Sequence, residues 1–468
     1  MKKVKSKKGA WMVIAILFPV IGMAQPDTTR PKRYELTVKE AVDLAYKNVI
    51  ELKNVTLDYR IQEAKNKEIT GQALPQLSAN AGMQYYFSVP KFPFETSEAG
   101  IYKVLKDQNL IAQGIQPPPS TTIPFSFQQP WNFTMGATVT QLLFQPDVFV
   151  GLQARKAALG YNQALIEQAK ENIKDSAYKR YYAVLIAQKQ LHFLDESVKR
   201  LEKLYHDDSI MFKNGFAERL DLDKVQVQLN NLSTTRNMVE NGVTIAYAAM
   251  KFSMGISQRD TLVLKEELSN ESIKEGILND SFKYEDRAEI RTLNTLVGLQ
   301  KLDVKRYKLN GLPTVSLAGN YTVNALGPNF VTDKESTTWF RSSYIGVNVN
   351  VPIFNGFQRK YKLEQSKLTL EKVGNNIENV KQAIDLEQVI TKESLKNALV
   401  NLDIQERNLA LAERVYNATK TKFEQGVGSS FEVLQADTDY QTAQSNYFNA
   451  LYNATVTRVS YLYSLGKL

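Results

Sequence analysis

Two hydrophobic periods alternate along the chain. Leu77, Ala79, Ala81, Met83, Tyr85 and Phe87 alternate with Gln76, Ser78, Asn80, Gly82 and Gln84, the period of two that belongs to a strand with one apolar and one small polar face. Phe133, Met135, Ala137 and Val139 stand in the same relation to Asn132, Thr134, Gly136, Thr138 and Thr140. Val315, Leu317, Gly319, Tyr321 and Val323 alternate with Thr314, Ser316, Ala318, Asn320 and Thr322, and Ile345, Val347, Val349 and Val351 with Tyr344, Gly346, Asn348 and Asn350. Elsewhere proline disappears: there is none between Pro146 and Pro313 and none after Pro352. Proline lacks an amide donor and clashes with the preceding helical turn, so its absence predicts long helices there. Asp147 to Lys213 would extend about 100 Å at about 1.5 Å per residue. Thr37 to Thr70, opening on the capping box Thr37-Val38-Lys39-Glu40, and Ala217 to Ile256 are shorter and together match that length. Two short helices stacked end to end are expected to lie antiparallel beside one long one.

The chain also repeats itself. Glu51, Gln62, Lys67, Leu74, Pro75 and Ser78 correspond in spacing to Glu289, Gln300, Lys305, Leu312, Pro313 and Ser316. Gly136, Val139 and Phe144 correspond to Gly346, Val349 and Phe354, and Tyr205, Phe212, Gly215, Ser253 and Gly255 to Tyr416, Phe423, Gly426, Ser464 and Gly466. Each half reads helix, strand, strand, long helix, glycine turn, helix. The first half carries extra residues from Ser88 to Pro130, expected to be a loop whose Pro117-Pro118-Pro119 is stiff and extended. The expected units are 25–256, a connector at 257–284 that with the chain ends could belt the helices, and 285–468.

Strands of about ten residues with alternating faces fit a transmembrane β-barrel. Aromatic residues bunch where the strands end: Tyr85, Tyr86, Phe87, Trp131, Phe133, Trp339 and Phe340 on one side, Phe144, Phe354 and Phe357 on the other. A soluble antiparallel sheet with one wet face is the competing reading. Four strands cannot close a barrel, whose smallest membrane forms need about eight, and open edges in lipid cost several kcal/mol per unsatisfied group. Other copies of the chain must complete it.

Composition narrows the chemistry. Met1 to Ala24 read as an export signal: Lys2, Lys3, Lys5, Lys7 and Lys8 precede the apolar run Ala10–Gly22, and Gly22-Met23-Ala24 offers a cleavage site. Those five lysines supply more than half of the net charge of +9, so a nucleic-acid partner loses its main support. No apolar run is long enough for a membrane-spanning helix. Without cysteine, and with His192 and His206 as the only imidazoles, thiol chemistry is excluded and a hydrolytic triad or histidine-rich metal site is disfavoured. No P-loop or cofactor fingerprint is present. No catalytic, cofactor or metal residues are expected.

The element order, the duplicated halves, Leu74-Pro75 and Leu312-Pro313 opening each first strand, and the segment from Phe423 to Ala436 (Phe423-Glu424-Gln425-Gly426, then Glu432-Val433-Leu434-Gln435-Ala436), with a weaker twin at Phe212 to Val225, resemble the TolC family of outer-membrane efflux channels. The resemblance implies an α+β membrane protein: a homotrimer with a twelve-stranded β-barrel, four strands per chain, continuous with a long α-helical barrel through the periplasm of a Gram-negative bacterium. It implies passive conduction rather than an enzyme, and as partners a periplasmic adaptor (membrane fusion) protein, an inner-membrane transporter of RND, ABC or MFS type, and outer-membrane lipid. Type I protein secretion is the alternative within that class. An exported structural coiled-coil protein is the alternative outside it, although strict heptads are not sustained.

Two sets of residues carry the expected function. Gly215 and Gly426 end long helices, where glycine tolerates a left-handed backbone. Asn214, Gly215, Phe216, Gln425, Gly426 and Val427 are the expected periplasmic tips and adaptor-docking residues, with Asn214, Gln425 and Phe216 departing from the family's usual aliphatic neighbours. Asp221 and Glu432 lie six residues beyond each glycine. Their bland role is to oppose the helix dipole, worth about 0.3–1 kcal/mol. The resemblance implies an acidic ring that narrows the entrance and binds cations, with Gln435 where the family has an acid and Asp439 one turn on.

Overall fold

The computed structural model describes residues 31–266, 281–329 and 335–468. The export signal and the middle of the connector lie outside these residues. The elements run β1 (Arg33–Leu36), α1 (Val38–Asn48), α2 (Ile50–Gln72), β2 (Gln76–Tyr85), β3 (Phe92–Thr96), α3 (Ala99–Asp107), β4 (Thr121–Phe125), β5 (Trp131–Phe144), α4 (Pro146–Lys213), α5 (Arg219–Ser253), β6 (Thr261–Leu264), α6 (Ala288–Leu309), β7 (Thr314–Gly327), β8 (Thr338–Asn350), α7 (Gln358–Glu424) and α8 (Ser430–Ser464). The long helices α4 and α7 have 68 and 67 residues and the returning helices α5 and α8 have 35 each. No described helix is long and apolar enough to cross a membrane.

The helices form a curtain. Helix α4 packs along α1, α2 and α5 on one side and along α6 and α8 on the other, and α7 covers the far side of α6 and α8. Each long helix thus runs beside short ones that share its length. The segment Thr37–Thr70 departs from one continuous helix: Val49, at φ −60° and ψ 127°, separates α1 from α2. The end of α5 abuts that break, since a Cβ on Gly255 would lie 2.8 Å from the Asn48 carbonyl carbon. Thr37 does make the expected capping box with Glu40.

The four alternating segments form one antiparallel sheet in the order β2-β5-β7-β8. Register aligns the polar positions: Thr134 donates to Asn324 (3.0 Å), Asn320 to Thr138 (2.9 Å), and the Thr322 and Ser342 hydroxyls share a 2.6 Å hydrogen bond. A β-bulge between Leu142 and Phe144 bends β5 where it meets α4. Gly136 is required by close approach, because a Cβ there would lie 2.5 Å from Thr322 Cγ2. At one end Tyr85 stacks near Trp131 (4.7 Å) and Phe133 near Trp339 (6.2 Å), whereas Phe340 pairs with Asn324 and so shares the polar face.

The segment from Ser88 to Pro130 is more ordered than a loop. It carries the antiparallel hairpin β3-β4 and the helix α3. Prolines at 93 and 124 are tolerated there because both strands of a two-stranded ribbon are edges.

Candidate functional site

Both tips are built by one backbone motif. At the end of α4 the Phe216 amide donates to Met211 O (2.8 Å) and the Gly215 amide to Phe212 O (3.0 Å), with Gly215 at φ +80°. At the end of α7 the Val427 amide donates to Lys422 O (3.0 Å) and the Gly426 amide to Phe423 O (2.9 Å), with Gly426 at φ +76°. This double closure satisfies the last carbonyls of a helix and needs a left-handed residue, hence glycine. The residue after that glycine normally packs back on the helix end. Phe216 and Val427 instead stand 79% exposed each. Asn214, with its amide on Ile210 O (2.8 Å), and Gln425 are exposed beside them.

The acidic candidates separate. Glu432, Gln435 and Asp439 lie on one exposed stripe of α8, with Gln435 donating to Asp439 (3.0 Å) and the Glu432 amide bonded to Ser429 Oγ (3.3 Å). Asp221 on α5 is half-buried and engaged by Lys224 at 3.4 Å, whose ammonium also sits 5.0 Å above the Phe431 ring. Leu220, Val227, Phe431 and Leu434 line a 470 Å³ groove between α5 and α8 at this level.

Sequence reasoning missed the node above the tips. Arg200 of α4 reaches the buried Asp437 of α8 (3.1 Å) and Ser197 (2.7 Å), and lies 5.4 Å and 5.1 Å from the stacked rings of Tyr416 and Tyr440. Gln441 also donates to Asp437. Burial pushes the Asp437 carboxyl above the usual range, and Arg200 offsets this only in part. Asp208, fully buried on α4, has its carboxyl raised by burial and by the charges of Asp221 and Asp207; the Ser430 hydroxyl favours its charged form without completing a hydrogen bond of ordinary geometry. The available signal was an acid at a core position: Val433, Ala436, Asp437, Tyr440 and Gln444 form one buried stripe.

A sheet with one apolar and one polar face, continued by a curtain of helices about 100 Å long that ends in glycine turns, is the architecture of a channel-tunnel subunit. Residues 304–466 match the model of the family described as outer membrane efflux protein. Outer membrane protein TolC of Vibrio cholerae is 20% identical over 340 residues, covering 71% of this chain and 76% of that one. Among solved structures, CusC superposes with a TM-score of 0.70 at 14% identity over 95% of each chain. The Campylobacter jejuni outer membrane channel CmeC gives 0.66 at 17% identity, over 92% of this chain and 85% of its own. The resemblance to the TolC family is borne out, and with it the localisation: the outer membrane, with the helical part in the periplasm.

Proposed function

We propose that three copies of this chain close a twelve-stranded barrel continuous with a helical tunnel, and that the assembly is the passive exit duct of a tripartite efflux pump. The observation that carries this reading is the pair of open edges. Among the described residues β2 and β8 each have one strand neighbour, and β2 is exposed along its whole length. Unsatisfied backbone groups in hydrocarbon cost several kcal/mol each, so a lipid-facing sheet must close. The helical curtain is open in the same way. On α5, Leu220, Val227, Met238, Ile245 and Phe252, and on α7, Leu386, Ile390, Val400 and Leu411, are each more than half exposed. These apolar stripes, with steps of seven from Leu220 to Val227 and from Met238 through Ile245 to Phe252 on α5, suit helix-to-helix packing between copies. Eight strands would close the smallest barrel, and the family resemblance selects three copies over two.

The repeats 25–256 and 285–468, joined through the connector 257–284, then contribute two near-equivalent tips per chain. Exposed Phe216 and Val427, with Asn214, Gly215, Gln425 and Gly426, form the docking surface for a periplasmic adaptor, and energy comes from an inner-membrane transporter. Three copies of the Glu432, Gln435 and Asp439 stripe, with Asp221 nearby, narrow the entrance as a cation-binding ring. Catalysis has no part in this function.

The detergent-extracted protein is expected to have the mass of a trimer and to conduct ions in planar bilayers. A stable monomer soluble without detergent overturns the reading. Glu432→Ala is expected to widen conductance and weaken block by multivalent cations, and an unchanged conductance removes Glu432 from the gate.

A further inference from the structure

The insertion between β2 and β5 is an arm. Tyr85 pairs with Trp131 at the aromatic rim, and beyond it Phe92 pairs with Phe125, with six residues on one strand against five on the other. The β3-β4 ribbon therefore prolongs the β2-β5 ribbon after a bend and a slip of one residue. From Tyr85 to Thr96 the chain can reach about 35 Å beyond the rim at about 3.3 Å per residue, and α3 lies at its far end.

One face of this arm is apolar and uncovered. Directly paired residues of an antiparallel ribbon point to the same side, so Phe92, Phe94, Ile123 and Phe125 share a face. Phe94 is 60% exposed, and Phe127, edge-on to Phe125 at 4.7 Å, is 74% exposed. Exposed apolar clusters of this kind mark interaction surfaces. Pro93 stands opposite Pro124, and proline offers no amide donor, so the ribbon edge is poorly suited to extension by another strand. The face is what a partner can use.

We propose that the apolar faces of the three arms, carried on Phe92, Phe94, Ile123 and Phe125, pack against one another into a collar above the barrel mouth. This rests on the trimer proposed above. The arm springs from β2, the strand whose open edge the next copy must fill, so each arm stands beside a neighbouring copy. It begins beyond the aromatic rim, where lipid ends, and so needs cover that lipid does not supply. Its charges cancel, Lys91, Lys103 and Lys106 against Glu95, Glu98 and Asp107, so like arms do not repel.

The chain has no cysteine, so single thiols report cleanly. In the full-length protein in intact cells, Phe94→Cys and Phe125→Cys treated with a bismaleimide are expected to yield covalent dimers. Thr122→Cys, on the opposite face, is expected to yield several-fold fewer. Phe92→Ser with Phe125→Ser is expected to lower the temperature at which trimers dissociate in dodecyl sulfate. Absence of dimers from Phe94→Cys in a protein whose native mass is trimeric overturns the collar and leaves the channel intact, whereas a monomeric mass overturns both. Strong quenching of a fluorophore on Phe94→Cys by a quencher borne on lipid headgroups assigns the face to the bilayer and overturns the collar as well.

Discussion

The ends of the two returning helices, α5 and α8, are held by different chemistry. In the first half, the end of α5 meets α1, α4 and the β1-β6 pair in a large apolar cluster: Val38, Ala41, Ala45, Ile173, Tyr181, Met250 and Met254 are buried together. Its main polar tie is the Tyr181 hydroxyl, which donates to Leu36 O (2.9 Å) and accepts from the Glu266 amide (3.2 Å). At the end of α8, among the described residues, Leu395, Tyr461 and Leu465 are buried together with Phe282 against them, and a buried cation joins them. Arg287 makes two 3.1 Å hydrogen bonds to Glu289 and a 2.8 Å contact with Glu387, caps Ser464 O (3.1 Å), and lies 4.8 Å from the Tyr463 ring centroid. The end of α5 is thus secured mainly by apolar area and the end of α8 by a charge network. The apolar seam tolerates imperfect geometry. The ionic seam does not, because removing the buried Arg287 leaves the half-buried Glu289 and Glu387 without their cation.

That contrast orders the expected effects. Arg287→Ala should cost about 3 kcal/mol, the low end of the penalty for breaking a buried ion pair from one side because Glu289 and Glu387 keep some solvent, read as lost hydrogen-exchange protection at the start of α6 and the end of α8. Tyr181→Phe in the opposite seam should cost only about 1–2 kcal/mol; an equal loss at both would erase the distinction. Next come the glycines. Gly255 (φ +63°) and Gly466 (φ +69°) close α5 and α8, and a Cβ would lie 2.8 Å from Asn48 O in one and 2.5 Å from Asp286 O in the other. Their alanine variants should exceed the about 1–2 kcal/mol of a left-handed residue alone, whereas Gly426→Ala, with open space around it, should stay within it. Thermal unfolding of the purified protein ranks the three.

The smallest effect is on pH. Burial pushes the Glu289 carboxyl up, but the hydrogen bonds and charge of Arg287 outweigh it and hold it below the usual range. A depressed carboxylate stabilises above its unfolded pKa of about 4.3 and loses that contribution as pH falls through its folded value. Acidification below about pH 4.3 should therefore loosen the second seam before the first. Simultaneous loss of protection at both would show that Glu289 is not what sets the difference.

Much of this was legible because it is periodic. Strand β2 begins at Gln76 and ends at Tyr85, within two residues of where alternation places it, and the tip glycines stand out as breaks inside the two proline-free runs. What was hidden lies in contacts distant along the chain. Arg287 is separated from Glu387 by 100 positions and reads locally as any surface arginine. Val49 interrupts a helix in Lys47-Asn48-Val49-Ile50, where no glycine or proline marks the break; the end of α5 presses against it there. The arm escaped because prolines suggest irregular backbone, and only its pairing partner shows that they sit on strand edges.

The ladder of side-chain hydrogen bonds across the polar face of the sheet bears on what passes along it. Thr134, Asn324, Thr138, Asn320, Thr322 and Ser342 already spend hydrogen-bonding capacity on one another. In the duct proposed above, a wall so engaged would give a migrating molecule few groups to grip, so dissimilar cargoes would glide past at similar rates and selection would fall to whatever loads the duct.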